Sequence, residues 1–216
     1  MPVNPNNAHS CDHHLILGGS GSGKTRWLTK LPAIRQSQRC FIWDPETDHR
    51  AIHCHNRNDF KRQTLAALQS GKPFRIAYVP ARPTADEFDW FCGLVWATLD
   101  GNVKTSLIVE EVADVTNSGK AAGYWGEILR KARKYYCTVY VISQRPQEVD
   151  KTTVSMCPFK WCGILNNQLD RKAVAGNFDL NPDQLKNMAN EPRKKLFYWY
   201  KQDGPEPAKL LHFNPK

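Results

Sequence analysis

Short apolar runs recur along the chain, separated by longer stretches with helical periodicity. Leu15–Leu17, Cys40–Trp43, Phe74–Val79, Ser106–Val109, Thr138–Ile142 and Lys160–Leu165 read as buried strands. Between them, Asp59–Gln69 predicts a helix with Asp59 as its cap and Phe60, Leu65 and Leu68 turned inward. Asp86–Leu99 predicts a more apolar helix with Phe88, Phe91, Val95 and Leu99 on one face. Gly123–Tyr135 predicts another, and Pro182–Met188 a short one. The chain closes with strands over Leu196–Lys201 and Leu210–Phe213, joined by the turn Gln202-Asp203-Gly204-Pro205. Strands alternating with helices imply parallel pairing through right-handed crossovers, and the closing pair implies a short antiparallel addition. The fold class is therefore α/β, a mostly parallel central sheet flanked by helices. Residues 1–12 are polar and rich in Pro and Asn and read as a loose leader, with 13–216 as a single domain.

In a sheet of this kind ligands gather beyond the C-terminal ends of the strands. The first strand runs directly into Gly18-Gly19-Ser20-Gly21-Ser22-Gly23-Lys24-Thr25, which satisfies G-x-x-x-x-G-K-[ST]. A helix-forming stretch follows it. Strand, glycine loop and helix in that order make a P-loop: glycines let successive N–H groups curl round an anion, and the helix N-terminus adds positive character. Gly18 to Thr25 would hold the phosphates of ATP, with Lys24 reaching the outer ones and the Thr25 hydroxyl on Mg²⁺. The run Leu107-Ile108-Val109 delivers Glu110 and Glu111 to the same rim. One carboxylate on the metal side (Glu110) and one aligning the attacking water (Glu111) is what phosphoryl transfer needs opposite a P-loop. The run Tyr140–Ser143 brings Gln144, whose amide can bond both the γ-phosphate and the water. Asp44 ends the second strand on this rim too.

Composition adds a little. A net charge of +9, from 30 Lys+Arg against 21 Asp+Glu, is compatible with a nucleic-acid partner. Seven cysteines without a C-x-x-C pair fit a reduced, intracellular chain. The N-terminus does not read as a signal peptide, and the longest apolar run, Phe91–Ala97, is far too short to span a bilayer, so the expectation is a soluble chain.

A P-loop, a strand ending in Glu-Glu, the Arg-Lys helix Leu129–Lys134 and then Ser143-Gln144-Arg145-Pro146 together resemble the FtsK–HerA superfamily of DNA-pumping ATPases, with a RecA-like P-loop NTPase fold. Asp44-Pro45 is similar to the Asp-Pro of HerA-like members. The resemblance covers 13 to about 170. It implies an ATP hydrolase that translocates double-stranded DNA without sequence preference. ATP would be hydrolysed at the interfaces of a homo-oligomeric, hexameric ring, with Mg²⁺ as cofactor. It also implies that Arg133, or Arg130 in its place, acts as an arginine finger on the neighbouring subunit. The expectation is of a bare motor, without membrane-spanning region, winged-helix tail or barrel domain. In that respect it looks like the genome-packaging ATPases of internal-membrane, double-jelly-roll viruses of the corticovirus and tectivirus type. Host cytoplasm or a packaging vertex is the implied location, with capsid-vertex or viral membrane proteins as partners. The loop Asp114–Tyr124, with Lys120, is the candidate pore loop; Arg82 and Lys151 are weaker candidates.

Two other P-loop classes compete: a Zot-like filamentous-phage assembly ATPase, which usually carries a membrane anchor, and a small-molecule or nucleotide kinase, which has no need of Gln-Arg-Pro. A nucleotide-binding scaffold without turnover is opposed by Lys24, Thr25 and Glu111 together. An ABC-type ATPase is disfavoured because Leu-Ser-Gly-Gly-Gln is absent from the sequence. Cys11, His13 and His14 with His49, His53, Cys54 and His55 match no ordinary zinc-finger spacing. Cys157 and Cys162 read as core thiols. Phe197–Tyr200 reads as sheet packing in preference to base stacking.

Overall fold

The computed structural model describes residues 1–191 and 196–213; the rest of the span assigned to the domain, 192–195 and 214–216, lies outside them. In chain order the strands are β1 (His14–Leu17), β2 (Arg39–Trp43), β3 (Ile52–Cys54), β4 (Phe74–Tyr78), β5 (Thr105–Val109), β6 (Cys137–Ser143), β7 (Phe159–Cys162), β8 (Phe197–Asp203) and β9 (Lys209–Phe213). They form one sheet in the order β3-β4-β2-β5-β6-β1-β7-β8-β9. Pairing is parallel from β3 to β7, and β8 and β9 are antiparallel additions.

The helices are α1 (Lys24–Lys30), α2 (Pro32–Arg35), α3 (Arg57–Ser70), α4 (Ala85–Thr98), α5 (Gly123–Lys131), α6 (Lys151–Met156), α7 (Gln168–Phe178) and α8 (Pro182–Lys186). Alternate residues of each central strand supply two cores, because successive side chains leave opposite faces. Leu15, Phe41, Trp43, Leu107 and Val141 pack beneath α3 to α8. Ile16, Ile42, Ile108, Tyr140 and Ile142 pack beneath Leu28 of α1 and Ile34 of α2. The two faces are therefore unequally covered. Two short helices guard the second face.

Most elements match the sequence expectation, with instructive differences. The cap of α3 is Asn56, whose side chain accepts the Asp59 N–H at 2.9 Å; Asp59 itself lies in the first turn. Leu65, expected inward, is 49% exposed, while Thr64 is buried. Phe60, Thr64 and Leu68 stand four apart, so the inward stripe runs through the threonine and leaves Leu65 to one side. Helices α2, α6 and α7 and strand β3 were not expected. Strand β7 ends at Cys162, short of Leu165, and β8 runs on through Gln202 and Asp203, so the final turn is tighter than expected.

All seven cysteines are free and six are buried; only Cys11 is partly exposed. Burial pushes the thiols of Cys40, Cys54 and Cys137 up to about 12. Burial raises Cys92, Cys157 and Cys162 as well.

His13 and His14 at the head of β1 are core histidines. The ring Nδ1 of His13 accepts the Val139 N–H at 3.2 Å. His14 stacks on Tyr140 and Phe159 at centroid distances of 4.9 and 5.1 Å. Burial lowers both from 6.5 to about 4. The unfolded chain therefore takes up protons below about pH 6.5 that the folded chain refuses until about pH 4, so stability falls with pH through this window. From pH 7 to pH 5 each ring is expected to remove about 2 kcal/mol. His14→Phe keeps the stack and removes one proton site. Urea unfolding at the two pH values should show a flatter pH dependence in that variant; equal slopes would remove His14 from the account.

Candidate active site

The loop after β1 is shaped by its glycines. Gly18, Gly21 and Gly23 have φ of +149°, +73° and +93°. A Cβ on Gly18 would lie 2.6 Å from Ser22 Oγ, so only glycine fits there. The base of the loop is tied to both neighbouring strands. The Gly18 N–H donates to Ser143 O at 3.3 Å, the Gly19 N–H to Ile164 O at 2.8 Å, and the Gly163 N–H to Leu17 O at 2.9 Å. Gly23 caps α1 with no side-chain acceptor. A helix start leaves its first N–H donors without intrahelical partners, so they remain for an anion. The buried Ser22 Oγ likewise has no hydrogen-bond partner among the described residues.

Lys24 lies buried beneath this loop. Its Nζ donates to Gly18 O at 2.8 Å and Gly19 O at 3.2 Å. Burial lowers the ammonium pKa, while the charges of Glu111 and Glu110 oppose that shift. A cation so placed, hydrogen-bonded to two neutral carbonyls, gains by exchanging them for phosphate oxygens.

Glu110 and Glu111 follow β5 and diverge. Glu111 is in the left-handed region, φ 45° and ψ 53°, where a non-glycine residue costs on the order of 1–3 kcal/mol. This bend aims its carboxylate at β6: Oε2 accepts the Gln144 backbone N–H at 3.0 Å. Burial raises the Glu111 pKa, and hydrogen bonds from Gln144 and the Lys24 charge pull it back. Glu111 and Gln144 are thus joined because β6 lies between β1 and β5. The Glu110 carboxylate, on a side chain 5% exposed, is 2.6 Å from His49 Nε2. Burial raises its pKa against the pull of His49.

His49 is the partner that the sequence did not disclose. Asp44 holds it from behind, accepting the His49 N–H at 3.1 Å and the Asp48 N–H at 2.8 Å. His53 Nε2 donates to His49 O at 2.9 Å. Asp44 is therefore on the rim as expected, but its oxygens shape the turn that presents His49. Nothing in the local pattern singles out this histidine, which looked like one member of a scattered His/Cys group.

The expected basic residues occupy other places. Arg133 precedes β6, at the opposite end of the sheet from Lys24 of the same chain. Its Nη1 donates to Asn7 O at 3.2 Å and His9 O at 2.8 Å, tying down residues 7–9. Arg130 lies 3.7 Å from Glu127. Arg145 pairs with Asp114 and with Glu148. Lys120 is exposed, in a loop anchored on α6 where the Lys151 N–H donates to Gly119 O at 2.8 Å and the Ala121 N–H to Thr152 Oγ1 at 3.0 Å.

A glycine loop over a buried lysine, with an acid and an amide joined across adjacent strands, is the architecture of a P-loop NTPase. No protein-family profile matches the chain. It is 37% identical over 196 residues to Protein P9 of Pseudoalteromonas phage PM2, spanning 91% of this chain and 88% of that protein. The chain belongs to the family of that phage protein. Its fold is similar to that of the genome packaging NTPase B204 from Sulfolobus turreted icosahedral virus 2, solved in complex with ATP-gammaS. The TM-score is 0.69 at 12% identity, over 95% of this chain and 98% of that one. The N-terminal domain of zonular occludens toxin from Neisseria meningitidis matches at TM-score 0.51 and 12% identity, over 96% of each chain. The resemblance to packaging ATPases is thus borne out in the fold, with the toxin domain as a more distant relative in shape. No helix among the described residues is long and apolar enough to cross a membrane.

Proposed function

We propose that this chain is an ATP hydrolase that drives double-stranded DNA during viral genome packaging, as a hexameric ring with ATP at its subunit interfaces. The observation that carries the reading is the joined pair Glu111–Gln144 beside the buried Lys24. Family membership and the fold shared with a packaging NTPase support it. The loop Gly18–Thr25 holds the triphosphate, and Lys24 exchanges its carbonyl partners for the outer phosphates. Glu111 orients and deprotonates the attacking water, and Gln144, on the same carboxylate, bonds water and γ-phosphate. Mg²⁺ neutralises charge on the transferring phosphates when bound. One hydroxyl (Thr25) and one buried carboxylate (Glu110) suit an ion that takes few protein ligands beside phosphate. Arg133, remote from Lys24 in its own chain, serves the neighbour's site. Duplex DNA is gripped through its phosphates, with Lys120 as the first contact, in the host cytoplasm or at a packaging vertex with capsid or viral membrane proteins.

The test is ATP turnover with and without double-stranded DNA across a salt series. Grip on phosphates predicts stimulation at low salt that falls steeply as salt rises. Indifference to DNA at every ionic strength, with a phosphorylated small-molecule product, would favour a kinase instead.

A further inference from the structure

The turn that follows β2 is built around the placement of one side chain. Asp44 is fully enclosed, and its two carboxylate oxygens accept the Asp48 and His49 N–H groups just ahead of it. Its carbonyl accepts the Thr47 N–H at 3.2 Å. Thr47 has φ +60°, a region that a β-branched residue rarely enters, so the surrounding contacts hold the backbone there. This bend returns His49 to the end of the neighbouring strand. Strands β2 and β5 pair with Trp43 opposite Val109, and the Glu110 N–H donates to Trp43 O at 3.0 Å. The His49 side chain is 2% exposed, and its Nε2 lies 2.6 Å from Glu110 Oε1. An ionised carboxylate only accepts, so the ring contributes its Nε2–H.

We propose that His49 is a positioning residue for metal-dependent nucleotide binding: by donating to Oε1 it fixes the Glu110 carboxylate and leaves the other oxygen for Mg²⁺. The inference rests on the metal-side role proposed for Glu110. A free glutamate side chain has several torsions, and ordering them costs free energy each time a metal is bound. A donor already in place removes that cost and satisfies the oxygen that the metal does not use. His49 touches neither nucleotide nor water in this scheme; it acts through Glu110. The bend at Thr47 and the enclosed Asp44 then have a purpose beyond closing a turn. They set the imidazole on a carboxylate 61 residues away in sequence.

Calorimetric titration of the intact protein with a non-hydrolysable ATP analogue, once in excess Mg²⁺ and once in EDTA, gives the metal's contribution as the ratio of two affinities. His49→Ala and, independently, His49→Phe, which keeps a ring without the N–H, are each expected to lower that ratio by about 10- to 100-fold. Affinity in EDTA should stay within about twofold of wild type. His49→Gln, whose amide N–H can reach the same oxygen, should recover most of the loss. Glu110→Gln sets the scale and should lower the ratio at least as far. A hydrogen bond that merely ties the turn to β5 would reduce thermal stability in the alanine and phenylalanine variants and leave the ratio unchanged. With Glu110→Gln effective, an unchanged ratio in those two variants, equal weakening in Mg²⁺ and EDTA, or a glutamine variant as impaired as they are would overturn the role of His49 alone. A wild-type ratio near one, or one that Glu110→Gln does not alter, would take Glu110 off the metal and this inference with it.

Discussion

Glu111→Gln should lower ATP turnover by about 10²–10⁴ while nucleotide binding is retained. The substitution is nearly isosteric, and its amide oxygen can still accept the Gln144 N–H that Glu111 Oε2 accepts at 3.0 Å. What it removes is the ability to take a proton from water. Single-turnover phosphate release alongside equilibrium nucleotide binding checks this. Loss of binding with the same chemical rate would make Glu111 a scaffold for the loop. The pH profile gives a second reading: because burial raises its pKa in the free protein, the acid limb of kcat/KM should lie above the usual carboxylate range. Activity should be present above that pKa and lost as pH falls through it.

Arg133→Ala should cost about 10³–10⁵ in turnover if the arginine completes a neighbour's site. Mixing it with Lys24→Ala subunits separates that role from a structural one. A Lys24→Ala subunit still carries Arg133, and an Arg133→Ala subunit still carries an intact glycine loop, so mixed rings should regain activity at some interfaces. A mixture as inactive as either variant, under conditions where rings form, would exclude shared sites. The substitution also removes two hydrogen bonds to the carbonyls of Asn7 and His9. The stability loss expected from them is about 1 kcal/mol each, so thermal unfolding of Arg133→Ala serves as the control.

How much of this was legible in the sequence differs between its parts. The parallel strands were, because strands buried on both faces read as continuous apolar runs such as Leu15–Leu17 and Leu107–Val109. The glycine loop was, because its backbone needs fix residue types at fixed spacing. The antiparallel end was too, from two aromatic and apolar runs around Gly204-Pro205. Helix α7 was not: Gln168–Phe178 mixes charged, small and apolar residues and has a glycine at 176, and its main signal is the lone cap Asn167, which accepts the Leu169 N–H at 2.8 Å. Strand β3 is three residues long within a histidine-rich stretch, where no period can develop.

Pairwise relations in the site were the least visible. Glu110 and Glu111 are adjacent and chemically alike, yet the left-handed bend at Glu111 sends one to Gln144 and leaves the other with His49. That division depends on which strands lie side by side, and 61 residues separate His49 from Glu110. The aromatic run at Phe197 had two candidate roles in the sequence. It belongs to the sheet, as part of β8.

The distribution of thiols has a practical corollary. Six of the seven are enclosed and held protonated by their surroundings, which leaves Cys11 as the one chemical handle on the folded chain. It sits just before the first strand, at the far end of the sheet from the glycine turn and close in sequence to the segment that Arg133 clasps. A maleimide dye added to native protein is thereby directed to one position, where it would report the approach of the neighbouring subunit proposed above without intruding on the glycine loop.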